Sequence, residues 1–261
     1  MIGMIHVPAL PGTPFNRFSP KEIINKCLEE ATIYKSANID SIMIENMHDA
    51  PYLKRSVGPE ITSMMSIIGY ELRKVFPDKP IGIQILAGAN KDAISAAFSA
   101  DLDYIRGEGF IFGHVADEGI FESDAGELLR YRKNIGAARI KVFTDIKKKH
   151  GANQITKDVS IADMSKNANF FGSDGIIITG TTTGGEAEIN DLKQAKEGKL
   201  PVLLGSGITN ENLGNYFDYS NGFIVGSYFK KDGLWSNELD FKKVEGLVNQ
   251  FNNLKKNKGF I

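Results

Sequence analysis

With a single cysteine, Cys27, the 261-residue chain can form neither an intramolecular disulfide nor a metal cage made of cysteines alone. It also lacks an excess of either charge: 31 Lys and Arg stand against 32 Asp and Glu, a formal net charge of -1. That balance argues against a nucleic-acid binder of the basic-surface kind. No apolar run approaches the roughly 20 residues that span a bilayer, so no integral membrane contact is expected. No targeting segment is expected either, because Met1 leads at once into Ile2-Gly3-Met4-Ile5-His6-Val7, a strand pattern. The Gly-x-Gly-x-x-Gly of an open dinucleotide-binding sheet is missing after that strand. Pro- or Ser-rich linkers, charge blocks and low-complexity tracts are missing too. These absences leave the expectation of a reduced, cytoplasmic, soluble chain folding as one domain over 1–261.

What the chain does have is a repeat of short apolar runs: Ile2–Val7, Ser41–Asn46, Ile81–Leu86, Tyr104–Gly109, Arg139–Ile146, Gly175–Gly180, Pro201–Gly207 and Gly222–Phe229. Their mean spacing is about 30 residues, the length of a βα unit. Between them the helical period is clear. Ser19-Pro20-Lys21-Glu22 combines a cap, a proline at the first helical position and a glutamate three residues after the serine. Ile23, Ile24, Cys27, Leu28 and Ala31 then share one face, which puts Cys27 in the core rather than in a nucleophile's position. The last helix carries Phe241, Val244, Leu247, Val248, Phe251 and Leu254 on one stripe. Strict alternation implies a parallel sheet, and eight units predict an α/β fold closed as a (β/α)8 TIM barrel.

Such a barrel does its chemistry at the carboxyl ends of its strands. His6, Glu45-Asn46, Gln84, Arg106, Glu108 and Asp145 all stand at or near those ends, where a bland strand would finish in an apolar residue and a turn. Asp145 is followed by the only dense basic cluster, Lys147-Lys148-Lys149-His150, in which a lysine could neutralise an anion. His6, Glu45, Glu108, Asp145, Lys149 and His150 are therefore the candidate catalytic residues. As donors, His6, Glu45, Glu108, Asp145 and His150 also suit a divalent metal, but they come from separate strands, so a metal stays an open alternative. Lys141 would be a Schiff-base candidate only if it faces inward.

Barrels that take phosphorylated metabolites hold the phosphate with the loops after strands seven and eight. Small residues are needed there so that backbone N–H groups can approach the phosphate oxygens. Gly205, Ser206 and Gly207 follow the seventh run, and Gly226-Ser227 lie in the eighth. Thr179 and Gly180 open a third glycine-rich stretch, to Gly185, able to clamp an anion or sugar hydroxyls or to serve as a lid. The expected partner is thus a phosphorylated small molecule, with no nucleic acid. Trp235 and the apolar tail Gly259-Phe260-Ile261 are candidates for a homo-oligomer contact.

Several segments together resemble one family. Ile2-Gly3-Met4-Ile5-His6-Val7-Pro8-Ala9-Leu10-Pro11-Gly12 looks like the opening signature of the BtpA/SgcQ family of TIM-barrel proteins. Ile44-Glu45-Asn46-Met47, Gly82-Ile83-Gln84-Ile85-Leu86, Asp145 through His150 and Gly205-Ser206-Gly207-Ile208-Thr209 match it in order. The resemblance covers nearly the whole chain and implies the same closed barrel. It implies no settled reaction: one namesake is tied to photosystem I accumulation with peripheral membrane association, the other to a sugar-metabolism gene cluster. Many relatives carry Asn where this chain has Glu108, and the matching stretch carries Asp117-Glu118 toward the mouth. Two functions follow as expectations. One is an enzyme, of isomerase, lyase or transferase type, acting on a sugar phosphate or nucleotide-derived compound. The other is a non-enzymatic assembly or stability factor.

Overall fold

Runs rich in isoleucine, bounded by Gly and Pro, give strands buried on both faces, as a sheet covered by helices requires. A computed structural model describes residues 1–147, 151–180 and 185–259. Each of the eight runs contains a strand: β1 (Ile2–His6), β2 (Ser41–Glu45), β3 (Ile81–Gln84), β4 (Tyr104–Gly107), β7 (Lys141–Asp145), β8 (Gly175–Ile178), β9 (Val202–Leu204) and β10 (Gly222–Val225). They close a parallel barrel in the order β1-β10-β9-β8-β7-β4-β3-β2. The strands are shorter than the runs. The eighth stops at Val225 because the backbone leaves extended geometry at Gly226 and enters a 3-10 turn over Ser227–Phe229.

Helices α1 (Pro20–Ser36), α2 (Pro59–Val75), α3 (Asn90–Ser99), α4 (Ala125–Asn134), α5 (Ile161–Phe170), α6 (Ile189–Ala195), α7 (Leu213–Tyr216) and α8 (Phe241–Asn257) follow the eight barrel strands in turn. The start of α1 has the predicted capping box: the Ser19 hydroxyl accepts from Glu22 N and the Glu22 carboxylate accepts from Ser19 N. Cys27 is buried on the α1 face. Phe241, at the head of the α8 stripe, is exposed, whereas Val244, Leu247, Val248 and Phe251 are buried. A hairpin that periodicity does not announce, β5 (His114–Ala116) and β6 (Gly119–Phe121), stands between β4 and α4.

The large core lies between strands and helices, and a smaller one fills the barrel itself: Met4, Met43, Tyr104, Ile177, Leu203 and Ile224. At the β3 position of this inner layer stands Gly82, and the Tyr104 ring occupies the space its side chain would take. A Cβ on Gly82 would lie 2.1 Å from Tyr104 Cε2. Tyr104 is held from its far end by the Ser41 hydroxyl at 2.9 Å. Overpacking so tight a layer costs about 1–3 kcal/mol. Gly82→Ala should therefore lower the melting temperature by several degrees in a scanning calorimeter, at about 2–4 °C per kcal/mol for a chain of this size. An unchanged melting temperature would mean that the ring is free to move aside.

Candidate active site

Two residues above the inner apolar layer, on the same face of each strand, the barrel turns polar. His6 pairs in register with Glu45, and Glu45 with Gln84. One step beyond the Ile83–Ile105 pair, Arg106 continues this row on β4. Met4, Met43, Gly82 and Tyr104 are the residues two positions below, so the period-2 pleat alone sets the row on its floor. Above the row opens a cavity of about 470 Å³.

Arg106 is buried, and its guanidinium meets Asp145 at two points, Nε to Oδ2 at 2.8 Å and Nη2 to Oδ1 at 2.9 Å. Burial works against the charge, but Asp145, aided by Glu45 and Glu108, more than offsets it and holds the guanidinium above its ordinary pKa. Asp145 itself does not line the cavity; it stands behind Arg106. Glu108 lines the cavity and accepts from Gln84 Nε2 at 2.7 Å, while Asn90 pins its backbone through bonds to its N–H and its carbonyl. Gln84 Oε1 is buried with no hydrogen-bond partner among the described residues.

The opposite wall is backbone. Gly205, Ser206, Gly207, Gly226 and Ser227 all line the cavity. Gly205 N–H donates to Ile178 O at 2.8 Å, and the Ser206 hydroxyl accepts from Gly180 N–H and donates to Gly185 O, at 3.0 and 3.2 Å. These groups knit the loops after β8 and β9 together. Gly207 has φ +75°, and a Cβ there would lie 2.4 Å from Gly185 O, so close backbone approach alone requires glycine. In the 227–229 turn the N–H groups of Phe229 and Lys230 close on the carbonyls of Gly226 and Ser227. The N–H groups of Ser227 and Tyr228 come first in the turn and have no carbonyl within it to bond.

His6 stands where the two walls meet. Its Nδ1 lies 3.0 Å from Trp235 O, and a carbonyl only accepts, so Nδ1 carries the proton. Nε2 is then the basic nitrogen of the neutral ring. It lies on the Gly226 side, where a Cβ would come within 3.2 Å of it. Trp235 packs against the His6 ring at 5.9 Å and the His48 ring at 4.7 Å. These contacts lie within its own chain and leave the ring half-buried. Burial, with the charge of Lys230, holds His48 below the ordinary histidine pKa.

Sequence reasoning missed two features of the mouth. Tyr52 lines the cavity and donates to Met47 O at 2.6 Å; burial and the nearby Glu45, Asp49, Glu118 and Glu108 push its phenol pKa up. The hairpin turn brings Asp117 and Glu118 to the rim, as the family resemblance implied. Arg55 holds that hairpin. It donates to the carbonyls of Glu108 and Gly109 at 2.9 Å each, to Glu122 O, and to Asp124 Oδ2 at 2.8 Å. Burial pushes Asp124 up to about 6 although Arg55 pulls it down, and its Oδ1 has no partner among the described residues.

Of the predicted residues, one cavity thus gathers His6, Glu45, Glu108, Gly205, Ser206, Gly207, Gly226 and Ser227. Thr179 and Gly180 stand behind its wall, where Gly180 meets Ser206. Lys149 and His150 lie outside the described residues, as do Phe260 and Ile261. Lys141 is exposed at the opposite end of β7, paired with Asp174 at 3.0 Å, and is no Schiff-base candidate. Among the described residues no three His, Cys, Asp or Glu side chains converge as a metal site would need.

A family model described as the BtpA family matches residues 1–253. A Caenorhabditis elegans protein named as mitochondrial is 46% identical over 98% of this chain and 94% of its own. The Synechocystis photosystem I biogenesis protein BtpA is 29% identical over 95% of this chain and 86% of its own. Among solved structures, phosphoribosyl anthranilate isomerase from Thermus thermophilus superposes with TM-score 0.59 at 14% identity, covering 97% of this chain and 100% of that one. A 3-hexulose-6-phosphate synthase gives 0.59 at 13%, covering 95% and 98%. These structural likenesses establish the barrel. Among the described residues no helix is long and apolar enough to cross a membrane.

Asp145→Asn should leave the Arg106 charge buried without its counterion and cost about 3–5 kcal/mol in urea unfolding; a loss below about 1 kcal/mol would show that the pair is dispensable. Asp124 gives a pH test. Its pKa in the fold, about 6, lies above the ordinary 3.8. Its protonated form therefore adds stability that is whole below about pH 4 and lost as pH rises through 6. Asp124→Asn stays neutral, so the variant should gain on the wild type across that window; parallel pH profiles would refute the shift.

Proposed function

The chain belongs to the BtpA family, and from that premise we propose that it is an enzyme acting on a small phosphorylated compound by acid/base chemistry at the carboxyl-end mouth of its barrel. One observation carries the reading: a single cavity joins the glycine–serine loops after β9 and β10 to the row of His6, Glu45, Gln84 and Arg106. Backbone N–H groups at Ser227 and Tyr228, with those of Ser206 and Gly207 alongside, are the seat for phosphate; Gly205, whose own N–H is held by Ile178 O, gives the seat a small wall, and Thr179 and Gly180 support it. His6, through Nε2, exchanges a proton with the substrate, and Glu45 and Glu108 serve as its partner acids or bases. Arg106 faces negative charge developing on the substrate, and Asp145 acts through it as a positioning residue. Lys149 and His150 follow Asp145 in sequence and keep their proposed role at the mouth. Isomerase, lyase and group-transfer reactions all use this set. The names of the two structural neighbours refer to phosphorylated compounds, which agrees with the reading at the level of the shared barrel.

The Synechocystis relative's name, a photosystem I biogenesis protein, supports a second reading, a non-enzymatic assembly factor, to which the family resemblance adds peripheral membrane association. Such a factor has no use for a buried row of ionisable groups above an apolar floor, and the enzyme reading is preferred for that reason. The cytoplasm remains the compartment in this proposal. The worm relative's name makes fractionation, with a low- and a high-salt membrane pellet, the measurement that decides both points.

Thermal unfolding against inorganic phosphate, sugar phosphates and nucleotides, with EDTA or added Mg²⁺, Mn²⁺ or Zn²⁺, tests the site. A ligand at 100 times its Kd stabilises by about 2.7 kcal/mol. A selective phosphoester shift is expected, and dependence on the metal would add a cation to the scheme. His6→Gln should keep the shift and lose turnover of the compound so identified. No shift across the panel would turn the reading toward the assembly factor.

A further inference from the structure

A second cavity of about 820 Å³ lies outside the barrel wall, under the loop after β1 and the segment before α8. It adjoins the first, with which it shares a wall: His6, Met47 and Tyr52 line both. The His6 ring is also what Gly226 packs against, so one imidazole stands between the phosphate loop and the second cavity.

The walls of the second cavity have a distinct chemistry. Trp235, Phe15 and Phe18 supply aromatic faces, and Phe15 and Phe18 are 61% and 38% exposed in a chain that otherwise buries most of its large rings. Phe18 carries Lys26 Nζ over its ring at 4.8 Å. On the α1 side, Glu30 pairs through Oε1 with the buried Lys230, while Oε2 is buried with no hydrogen-bond partner among the described residues. A buried carboxylate oxygen left without a donor costs free energy that a ligand N–H would recover. Flat aromatic walls with an acceptor behind them fit a planar nitrogen heterocycle carrying N–H donors.

We propose that this cavity is a nucleobase subsite, continuous with the phosphate seat, so that the ligand of the mouth is a purine nucleoside monophosphate or a compound built on one. This assignment rests on the phosphate reading above and narrows it from phosphorylated compounds in general to nucleotide-like ones. The ribose lies beside His6, within reach of Nε2, with the phosphate toward Gly226–Ser227 and the base toward Trp235 and Glu30.

Calorimetric titration of the full chain with ribose 5-phosphate, adenosine, AMP and GMP separates the two claims. Stacking a base on aromatic walls should make at least one of the monophosphates bind about tenfold or more tighter than ribose 5-phosphate. Ser236→Trp, at an exposed position lining the second cavity, should bring the monophosphate down to the level of ribose 5-phosphate. Glu30→Gln, which removes the waiting acceptor, should weaken the monophosphate in the same direction; if that variant fails to fold, Ser236→Trp carries the test alone. Ribose 5-phosphate binding as tightly as both monophosphates would overturn the base subsite and leave the phosphate seat standing. Adenosine binding while no phosphate compound gains over it would support the subsite and overturn the phosphate seat. Binding by none of the four overturns both.

Discussion

A guanidinium taken out of water has to be matched almost completely, and in this barrel Asp145 matches Arg106 with two hydrogen bonds across neighbouring strands. The match follows from register. Arg106 stands beside Phe143 in the β4–β7 ladder, and Asp145, two residues on, emerges on the same face. The pair fixes a permanent positive charge under the mouth. Glu45 and Glu108 are near enough to feel it, so carboxylates that would otherwise repel one another in a buried row gain a common counter-charge. The cost of this arrangement is that Asp145 is committed to Arg106.

The closed order of strands then decides who faces whom. Reading around the barrel, β9, β10, β1, β2, β3 and β4 are successive neighbours, and their ends supply Gly205–Gly207, Gly226–Ser227, His6, Glu45, Gln84 and Arg106 with Glu108 in that sequence. One continuous arc of six strands thus runs from backbone donors through an imidazole to carboxylates. The remaining two strands, β7 and β8, work from behind: Asp145 fixes Arg106, and Gly180 fixes Ser206. The glycines on the donor side have two reasons to be glycine. Gly207 must let the Gly185 carbonyl approach, and Gly226 must leave room for His6; the small wall that a phosphate would need is a by-product of loops packed this closely.

Most of the fold could be read from residues. The eight runs are long enough, and regular enough in spacing, that each holds a strand, and Ser19-Pro20-Lys21-Glu22 starts a helix by local chemistry alone. His6 and Glu45 were legible because a polar residue ending an isoleucine-rich run has few other reasons to be there. What was not legible depends on partners far apart in the chain. Nothing local to Asp145 says that a residue 39 positions earlier claims it. The hairpin has strands of three residues in a glycine-rich stretch, too short for alternation to show. Tyr52 is set by the loop after β2, whose path no periodicity dictates. Nor does anything local to Trp235 announce that the fold brings His6 and His48 to its ring.

The position of the His6 base nitrogen is settled outside the barrel wall. The ring's tautomer is fixed by the Trp235 carbonyl, 229 residues away in sequence. The segment carrying that carbonyl is pinched at its base: Lys230 bridges to Leu239, Lys231 N–H reaches Glu238 O, and Asp240 N–H reaches Phe229 O. Below the pinch, Lys230 is buried against Glu30 of α1. An apolar side chain there would fill the space at less desolvation cost, but it would slide on its neighbours where an ammonium facing one carboxylate cannot. The ion pair sets where the segment stands, the segment sets where Trp235 O points, and that carbonyl sets which imidazole nitrogen turns toward Gly226. The tautomer of His6 thus traces back to a pair of charges that lies outside the barrel interior.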